Sequence, residues 1–389
     1  MKVKLVYRNY KPLHKIYESL VNSPPSGVEY IVPDTKKNLA KLYPVYLKIR
    51  YFGFGKLLIR IFEKIFFIRK STNSDIDIYQ YINIVDEAPP SKPFIVDIEH
   101  AASLVSFTGG ERELRRVKAF LQNQNCKTII CLSLAAEASL EKLLAGEYKS
   151  ITSKVRIVYP ALSEVNKQIL GPDYSYISEK TDSLKILFVG NNAYLKGLEE
   201  LLEAVKALNN LYSPKALELH IVSSDAGEVY KKYNLENTFL YKPQFSKQEI
   251  YSKFFMPADV FVMLTKEDTF GMAILDALSC GTPVIATKQF AIPELIDNEV
   301  DGWLLELKDP ILDRKIIPSK QDMARITSSN LDKNLAAELN KVLSAIIDGN
   351  FDLNQFSQNA LKKFKSKGKF SISTRNEQLL KIYQKALVS

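Results

Sequence analysis

Short apolar runs recur along the first half of the chain, and polar or amphipathic stretches separate them. The runs predict strands at Val3–Tyr7, Val28–Val32, Ile76–Ile84, Phe94–Ile98, Thr128–Leu132 and Val155–Tyr159. Apolar residues at helical spacing predict helices over Glu111–Gln122 and from about Ala135 to Leu144. Strands that alternate with helices in this way indicate a parallel α/β sheet with helices on both faces.

A second series of the same kind follows the polar stretch 170–183, whose Gly-Pro break is typical of an interdomain linker. Its predicted strands are Lys185–Val189, Leu217–Val222, Thr238–Tyr241, Val260–Leu264 and Pro283–Ala286. Its predicted helices include Leu198–Leu208, Lys247–Phe255 and Met272–Ser279, and the tail Asn354–Ser389 has an amphipathic helical pattern. The pattern therefore predicts two Rossmann-like domains with a ligand at the carboxyl ends of their strands.

Length and composition agree with this organisation. A chain of 389 residues has room for two or three domains, each with a full core. Its three cysteines, Cys126, Cys131 and Cys280, are too few and too scattered for a disulfide framework, which favours a reducing compartment. The first residues lack the apolar region of a signal peptide, and no apolar run approaches the roughly 18 residues of a spanning helix. We therefore expect a cytoplasmic protein.

The net charge of +9 is concentrated in one segment. Residues 41–70 contain eight Lys or Arg and only one acid, Glu63. In this segment Lys56, Arg60, Glu63, Lys64 and Lys70 share one helical arc. The opposite arc holds the apolar residues Leu57, Leu58, Ile61, Phe62, Ile65 and Ile68. Such a helix could lie on an anionic membrane surface, which would make the protein peripheral on the inner membrane face. The alternative is a helix packed on the first domain's sheet with its charged side in water. We expect no nucleic-acid partner.

The strongest chemical pattern runs from Asp268 to Ala286 and predicts a loop, a helix and a strand. Gly271 lies at the predicted helix N-terminus, where backbone N–H groups and the helix dipole favour an anion. Asp276 lies one to two turns into the helix, and a carboxylate there can accept two hydrogen bonds from a vicinal diol, as Rossmann proteins bind a ribose. The pattern predicts a nucleotide site.

These residues resemble the signature of the retaining GT-B glycosyltransferases known as glycosyl transferases group 1. The signature has two acids separated by seven residues, Phe-Gly after the first acid, and a closing Ala-x-x-x-Gly-x-Pro-Val. Asp268, Asp276, Phe270-Gly271 and Ala277–Val284 match it, with Asp where the family usually has Glu. The resemblance implies that Asp276 holds the ribose hydroxyls and that Asp268 contacts the donor sugar. It also implies that Thr269, Phe270, Gly271 and Met272 present backbone N–H groups to the phosphates or the sugar.

A second stretch, Leu187–Leu198, resembles the family's first strand and loop of the donor domain. Gly190 and Lys196-Gly197 match, but Asn191 stands where the family has an Arg. In the family this Arg and the Lys bind the leaving diphosphate, so the resemblance implies that Lys196 stabilises it here. Lys266 or Lys288 could supply the missing charge.

Two further candidates lie in the first half. His100 follows the strand Phe94–Ile98, and the resemblance implies that it contacts the sugar or the acceptor; a loop or capping role is the alternative. Asp75-Ile76-Asp77 has the form of a metal-binding DxD motif, but we interpret it as solvated residues at a strand edge. His220 falls within an apolar strand and is expected in the core. No metal or cofactor is expected apart from the donor as co-substrate.

The resemblance implies a GT-B fold, with two Rossmann-like domains facing a central cleft. Residues 1–172 would bind the acceptor, 184–365 the nucleotide sugar, and 366–389 would form a helix that crosses back to the first domain. The implied activity is retaining hexosyl transfer from a nucleoside diphosphate sugar to a glycan or lipid-linked acceptor, with His100, Lys196 and Asp268 as catalytic residues. An inverting GT-B enzyme or an epimerase of similar architecture is one alternative. A catalytically degenerate binding or partner subunit is another.

Overall fold

The computed structural model describes residues 1–7, 13, 15–33, 75–105, 110–165, 183–316 and 318–388. These residues form two compact units. The first comprises Met1–Leu132, Leu140–Pro160 and Arg375–Ser389, and the second comprises Ser133–Ser139 and Ala161–Thr374. The basic segment 41–70 lies outside the described residues, and so do the linker residues 170–182.

The first unit is built on a parallel sheet whose strand order over the described residues is β2-β1-β3-β4-β5-β6. The strands are β1 Lys2–Val6, β2 Glu29–Ile31, β3 Ile78–Ile82, β4 Phe94–Ile98, β5 Cys126–Cys131 and β6 Val155–Ile157. The helices that follow them in the chain are α1 Lys15–Asn22, α2 Glu111–Gln122 and α3 Leu134–Leu144. All five residues of β4 are buried, as expected of a central strand covered on both faces.

The second unit repeats this plan, with strand order β12-β11-β10-β7-β8-β9. The strands are β7 Leu184–Val189, β8 Leu217–Val222, β9 Thr238–Tyr241, β10 Val260–Met263, β11 Val284–Lys288 and β12 Gly302–Glu306. The helices are α4 Leu198–Leu211, α5 Gly227–Tyr233, α6 Lys247–Ile250, α7 Met272–Ser279, α8 Ile311–Arg314, α9 Lys320–Thr327, α10 Lys333–Ile347 and α11 Leu353–Lys362. The strand order reverses direction between the adjacent strands β7 and β10. The carboxyl ends of these two strands are therefore the topological switch point, where sheets of this kind bind ligands.

The last helix, α12 Ile372–Val388, contributes its residues from Arg375 onward to the first unit. Tyr383 is fully buried there, and its hydroxyl donates to Oε1 of Gln80 at 2.6 Å. Gln80 in turn donates from Nε2 to Oδ2 of Asp97 at 2.6 Å. Burial raises the pKa of Asp97 to about 7. The helix is thus joined to the sheet by a buried polar chain that ends on a carboxyl group.

Several expectations match the structure at the level of element bounds. The predicted ranges of β4, β8, β9, α2 and α7 are those observed. The predicted helix Lys247–Phe255 is instead a short α-helical turn, α6, followed by a π-helical turn at Tyr251–Phe255. His220 is not a core residue, because it faces the opposite side of β8 from the buried Leu219 and Ile221, and 25% of its side chain is exposed.

The Asp75-Ile76-Asp77 motif lies just before β3, at the edge where the strands begin. Both aspartates are exposed, and Oδ2 of Asp77 accepts the backbone amide of Lys2 at 2.8 Å. These are solvated residues beside the strand, as expected. Over the described ranges, no group of three or more His, Cys, Asp or Glu side chains is arranged to hold a metal ion. Within those ranges the helices are all too short or too polar to cross a membrane.

Candidate functional site

The two motifs of the second unit meet at its switch point. Lys196 follows β7 and Asp268 follows β10, and these strands are paired in the sheet. Nζ of Lys196 lies 2.6 Å from Oδ2 of Asp268, and each side chain is 18% exposed. Nζ also donates to the carbonyl oxygen of Glu267 at 3.3 Å. A cation and an acid from separate loops therefore share one partly buried position at the carboxyl edge of the sheet.

Gly197 makes this meeting possible. It caps the N-terminus of α4 with φ at 75°, and a Cβ atom there would lie 2.3 Å from the carbonyl oxygen of Leu264. Only a residue without a side chain lets the loop after β7 pack so closely against the end of β10. The amide of Lys266 also donates to the carbonyl oxygen of Leu195 at 2.8 Å, which fixes the two loops together.

The carboxylate of Asp268 closes the loop that precedes α7. Its Oδ1 accepts the amides of Phe270 at 3.1 Å and Gly271 at 2.7 Å. Two of the four amides expected to face a phosphate or sugar thus donate to Asp268 in this structure. A bound anion would reach them only by replacing the carboxylate. The carboxylate of Asp268 therefore satisfies the two loop amides that lead into α7.

Gln289 lies beneath this loop and was not singled out from the sequence. Its Nε2 donates to the carbonyl oxygen of Asp268 at 3.1 Å, and the residue is almost fully buried. Its Oε1 has no hydrogen-bond partner within the part of the chain that the structure describes. Nearby, the hydroxyl of Thr287 donates to the carbonyl oxygen of Thr265, and the hydroxyl of Thr265 donates to the carbonyl oxygen of Glu267. These polar contacts support the loop that carries Asp268. No sequence motif identifies the residues that make these contacts.

Asp276 lies on α7 and is partly buried. Its Oδ1 accepts a 2.6 Å hydrogen bond from the hydroxyl of Tyr251, which comes from the π-helical turn. The sequence pattern identified Asp276 but not Tyr251, because a tyrosine in a predicted helix carries no signal of its own.

Asn191 connects two loops of the sheet edge. Its Oδ1 accepts the amide of Ser224 at 3.0 Å and the hydroxyl of the same residue at 2.7 Å. The backbone N–H of the next residue, Asn192, donates to Oδ2 of Asp225 at 2.7 Å. The neutral side chain therefore joins the loops after β7 and β8. Gly190 precedes it at the end of β7, and its amide donates to the carbonyl oxygen of Val222.

The two lysines proposed to replace the missing arginine charge are engaged elsewhere. Lys266 is almost fully buried and lies 3.0 Å from the fully buried carboxylate of Glu200. Lys288 lies 2.8 Å from Glu306 on the exposed side of the neighbouring strand. Of the three lysines considered, Lys196 is the one whose ammonium contacts Asp268. Beside it, burial raises the pKa of Glu267, and the charge of Asp268 adds to that rise while Lys196 opposes it.

His100 lies in the first unit, just after β4. Its Nδ1 accepts the amide of Ala102 at 3.2 Å, and the residue is buried. Burial, and to a smaller extent the charge of Lys142, lowers the pKa of His100 to about 4. The imidazole is therefore neutral at physiological pH. This contact is the local capping role that the sequence left as its alternative, and a contact of His100 with sugar or acceptor stays a prediction.

Residues 183–312, which contain both motifs, match the family described as glycosyl transferases group 1. The resemblance to glycosyl transferases group 1 that the motifs indicate is therefore confirmed over residues 183–312.

Curated relatives match over parts of the chain. A D-inositol 3-phosphate glycosyltransferase of Paenarthrobacter aurescens is 29% identical over 172 residues, which cover 39% of this chain and 41% of that protein. An uncharacterised glycosyltransferase of Methanocaldococcus jannaschii is 27% identical over 201 residues, which cover 46% and 48%. The chain thus spans less than half the length of either relative.

Solved structures match over the whole chain. HepE of Anabaena in complex with UDP-glucose has a TM-score of 0.61 at 14% identity, with 99% of each chain covered. Sucrose-phosphate synthase of Thermosynechococcus elongatus has a TM-score of 0.61 at 15% identity, with 100% and 99% covered. At such low identity the likeness establishes the fold, which is GT-B, with two parallel sheets flanked by helices.

Proposed function

We propose that this protein transfers a hexosyl group from a nucleoside diphosphate sugar to a glycan or lipid-linked acceptor, with retention of anomeric configuration. The observation that carries the proposal is the 2.6 Å contact of Lys196 with Asp268 at the carboxyl edge of the sheet, just before the helix α7 that carries Asp276. The Lys196 ammonium suits the negative charge of a diphosphate, and Asp268 suits the hydroxyls of a sugar. Asp276 suits the two hydroxyls of a ribose. The related fold of HepE, whose complex contains UDP-glucose, supports a donor of this class.

Each residue has a role in the proposed reaction. Asp276 accepts hydrogen bonds from the ribose hydroxyls, and Asp268 accepts them from the sugar. The bond between the anomeric carbon and the phosphate oxygen breaks, and its electron pair stays on the diphosphate. Lys196 stabilises that developing charge, which is where fixed electrostatics contribute most. The acceptor oxygen bonds to the anomeric carbon on the same face, and its proton passes to the leaving phosphate. His100 contacts the sugar or the acceptor.

Release of nucleoside diphosphate from a panel of UDP-, GDP- and ADP-sugars tests this activity. Wild type should hydrolyse one donor slowly without an acceptor. Asp276→Ala should lower kcat/KM for that donor by about tenfold or more, mainly through KM, because the ribose contact is made equally in the ground state and the transition state. Asp348→Ala is the matched control, because Asp348 also accepts a tyrosine hydroxyl, from Tyr212 at 3.0 Å, elsewhere in the second unit. Equal activity of wild type and Asp276→Ala would contradict the proposal.

Retention has its own test. Once an acceptor is known, the coupling constant of the anomeric proton in the product, compared with that in the donor, reports the configuration. The same anomer supports retention. The opposite anomer would support the inverting alternative and leave the donor site unaffected.

The degenerate partner subunit remains the second candidate, and one observation favours it. Asn191 replaces a phosphate-binding arginine, while Lys266 and Lys288 are paired with Glu200 and Glu306. Such a subunit would bind no donor, or would bind one without turnover even when acceptors are supplied. Wild-type turnover of any donor in the panel would exclude it.

The proposed acceptor class depends on the basic segment 41–70, which supports membrane attachment through its sequence alone. Co-sedimentation with vesicles containing phosphatidylglycerol tests it. Wild type should sediment with these vesicles and not with neutral ones. Replacement of Lys56, Arg60 and Lys64 by Glu should abolish sedimentation. Equal sedimentation of the variant would contradict the attachment.

A further inference from the structure

The Tyr251 hydroxyl and the Asp276 carboxylate form a short hydrogen bond of 2.6 Å. A hydroxyl that donates to an ionised carboxylate at this distance makes one of the stronger hydrogen bonds found in proteins. Tyr251 is 6% exposed, and its ring packs edge-on against that of Phe255, with centroids 6.1 Å apart. The phenol is therefore held by packing and cannot follow the carboxylate if the carboxylate turns away.

The backbone around Tyr251 is unusual. Tyr251 begins the π-helical turn Tyr251–Phe255, which the amide of Met256 closes by donating to the carbonyl oxygen of Tyr251 at 3.0 Å. Such π-helical turns are rare, and those that occur often lie at functional sites. The turn is anchored to the loop after α7 as well, because the hydroxyl of Thr282 donates to the carbonyl oxygen of Phe255 at 2.6 Å. The element that carries Tyr251 is thus fixed relative to the helix that carries Asp276.

A cation lies next to the same phenol. Nζ of Lys247 is 5.4 Å from the centroid of the Tyr251 ring, within the range of a cation–π contact. A positive charge over the ring makes the hydroxyl a stronger donor. Lys247, Tyr251 and Asp276 therefore form a row that leads from the start of α6 to the side chain expected to hold the ribose.

We propose that Tyr251 is a positioning residue that holds the Asp276 carboxylate in the orientation that binds a ribose diol, and that it thereby sets a preference for ribonucleotides over 2′-deoxyribonucleotides. This rests on the proposed function, because it takes Asp276 as the ribose ligand. A carboxylate binds two vicinal hydroxyls only when its plane faces both. The bond to Oδ1 fixes that plane, and the preorganised group then loses little freedom when the ribose binds.

The test compares the Kd of UDP with that of 2′-deoxy-UDP by calorimetry, or the GDP or ADP pair if the donor panel identifies those bases. Wild type should prefer the ribonucleotide by about tenfold or more, the value of one hydrogen bond to a charged group. Tyr251→Phe keeps the ring and removes the hydroxyl. It should weaken ribonucleotide binding and reduce the preference to about threefold or less, with 2′-deoxynucleotide binding almost unchanged.

Tyr212→Phe is the matched control, since it removes the equivalent bond of the Tyr212–Asp348 pair and should retain the full preference. Tyr251→His, which restores a ring donor, should recover part of it. A Tyr251→Phe variant that melts like wild type and keeps the wild-type preference would overturn the proposal. If Asp276→Ala also keeps the preference, the failure lies in the assignment of Asp276 to the ribose. If Asp276→Ala loses it and Tyr251→Phe does not, the failure lies with Tyr251 alone.

Discussion

Lys196 and Asp268 are 72 residues apart in the chain, yet their charged atoms lie 2.6 Å apart. The lysine ammonium and the amides of Phe270 and Gly271 all donate to this one carboxylate. From the sequence, each of these three groups is expected to bind the diphosphate or the sugar of the substrate. In this structure the carboxylate of Asp268 therefore accepts the hydrogen bonds of all three groups. In the proposed function, the oxygens of a bound nucleotide sugar replace those of Asp268 at these groups.

Lys196→Ala should lower kcat more than it raises KM. The diphosphate gains charge as its bond to the sugar breaks, so the lysine contributes more in the transition state than in the ground state. We expect a loss of about 100- to 1000-fold in kcat for donor hydrolysis. Lys288→Ala removes a lysine paired with the exposed Glu306 and should change neither constant. Equal losses in the two variants, or a loss confined to KM, would argue against this role of Lys196.

Gly197→Ala should destabilise the second unit and misplace Lys196. The methyl group would lie 2.3 Å from the carbonyl oxygen of Leu264, at a residue with φ of 75°. We expect the free energy of unfolding to fall by about 2–4 kcal/mol in denaturant titrations. Gly349→Ala separates the two causes, because Gly349 has φ of 76° and a methyl group added there would have no other atom within 4 Å. That variant should lose only about 1 kcal/mol, the cost of the left-handed backbone alone. Similar losses would show that the close approach to Leu264 has little effect.

Asn191→Arg should strengthen the binding of nucleoside diphosphates. The substitution places a charge where the resemblance implies one, at the end of β7. We expect Kd for the diphosphate to fall by roughly 3- to 10-fold at low salt, and the gain to shrink as ionic strength rises. Asn191→Ala loses the bonds to Ser224 without adding charge, and it should show no gain. An arginine variant that binds no tighter than the alanine variant would place the diphosphate away from this loop.

Asp97→Asn should stabilise the first unit at neutral pH. Burial raises the pKa of Asp97 to about 7 from its ordinary value of 3.8, so the folded state resists its ionisation. Wild type therefore loses stability as the pH rises from about 4 to 7, whereas the asparagine variant, whose amide oxygen can still accept from Gln80, does not. The melting temperature of the variant should exceed that of wild type at pH 8, by more than at pH 5. Asp75→Asn, at a side chain that is 74% exposed, is the control for the loss of an aspartate charge at the surface of the same unit. A constant difference for Asp97→Asn across this range would contradict the assignment.

The sequence predicted the elements that carry the candidate site because the relevant signals are local. The spacing of Asp268 and Asp276 and the pattern of α7 are read directly from residues 268–286. The switch point then follows from the alternation of strands and helices, which places Lys196 beside Asp268. The contacts of Asp268 with the amides of Phe270 and Gly271 were not predictable, because they depend on which side chain the loop turns inward. Tyr251 and Gln289 were missed for a similar reason: their roles come from tertiary contacts and, for Tyr251, from a π-helical turn that hydrophobic periodicity cannot distinguish from an α-helix.

Calorimetric titration of wild type with UDP-, GDP- and ADP-sugars, beside Asp276→Ala and the control Asp348→Ala, tests the central claim most directly. The account predicts that one donor class binds wild type and Asp348→Ala with equal affinity. It predicts that the same donor binds Asp276→Ala at least about tenfold more weakly, through the lost bonds to the ribose. Absence of binding to wild type across the panel, or equal affinity in all three proteins, would contradict a nucleotide-sugar site at the switch point of the second unit.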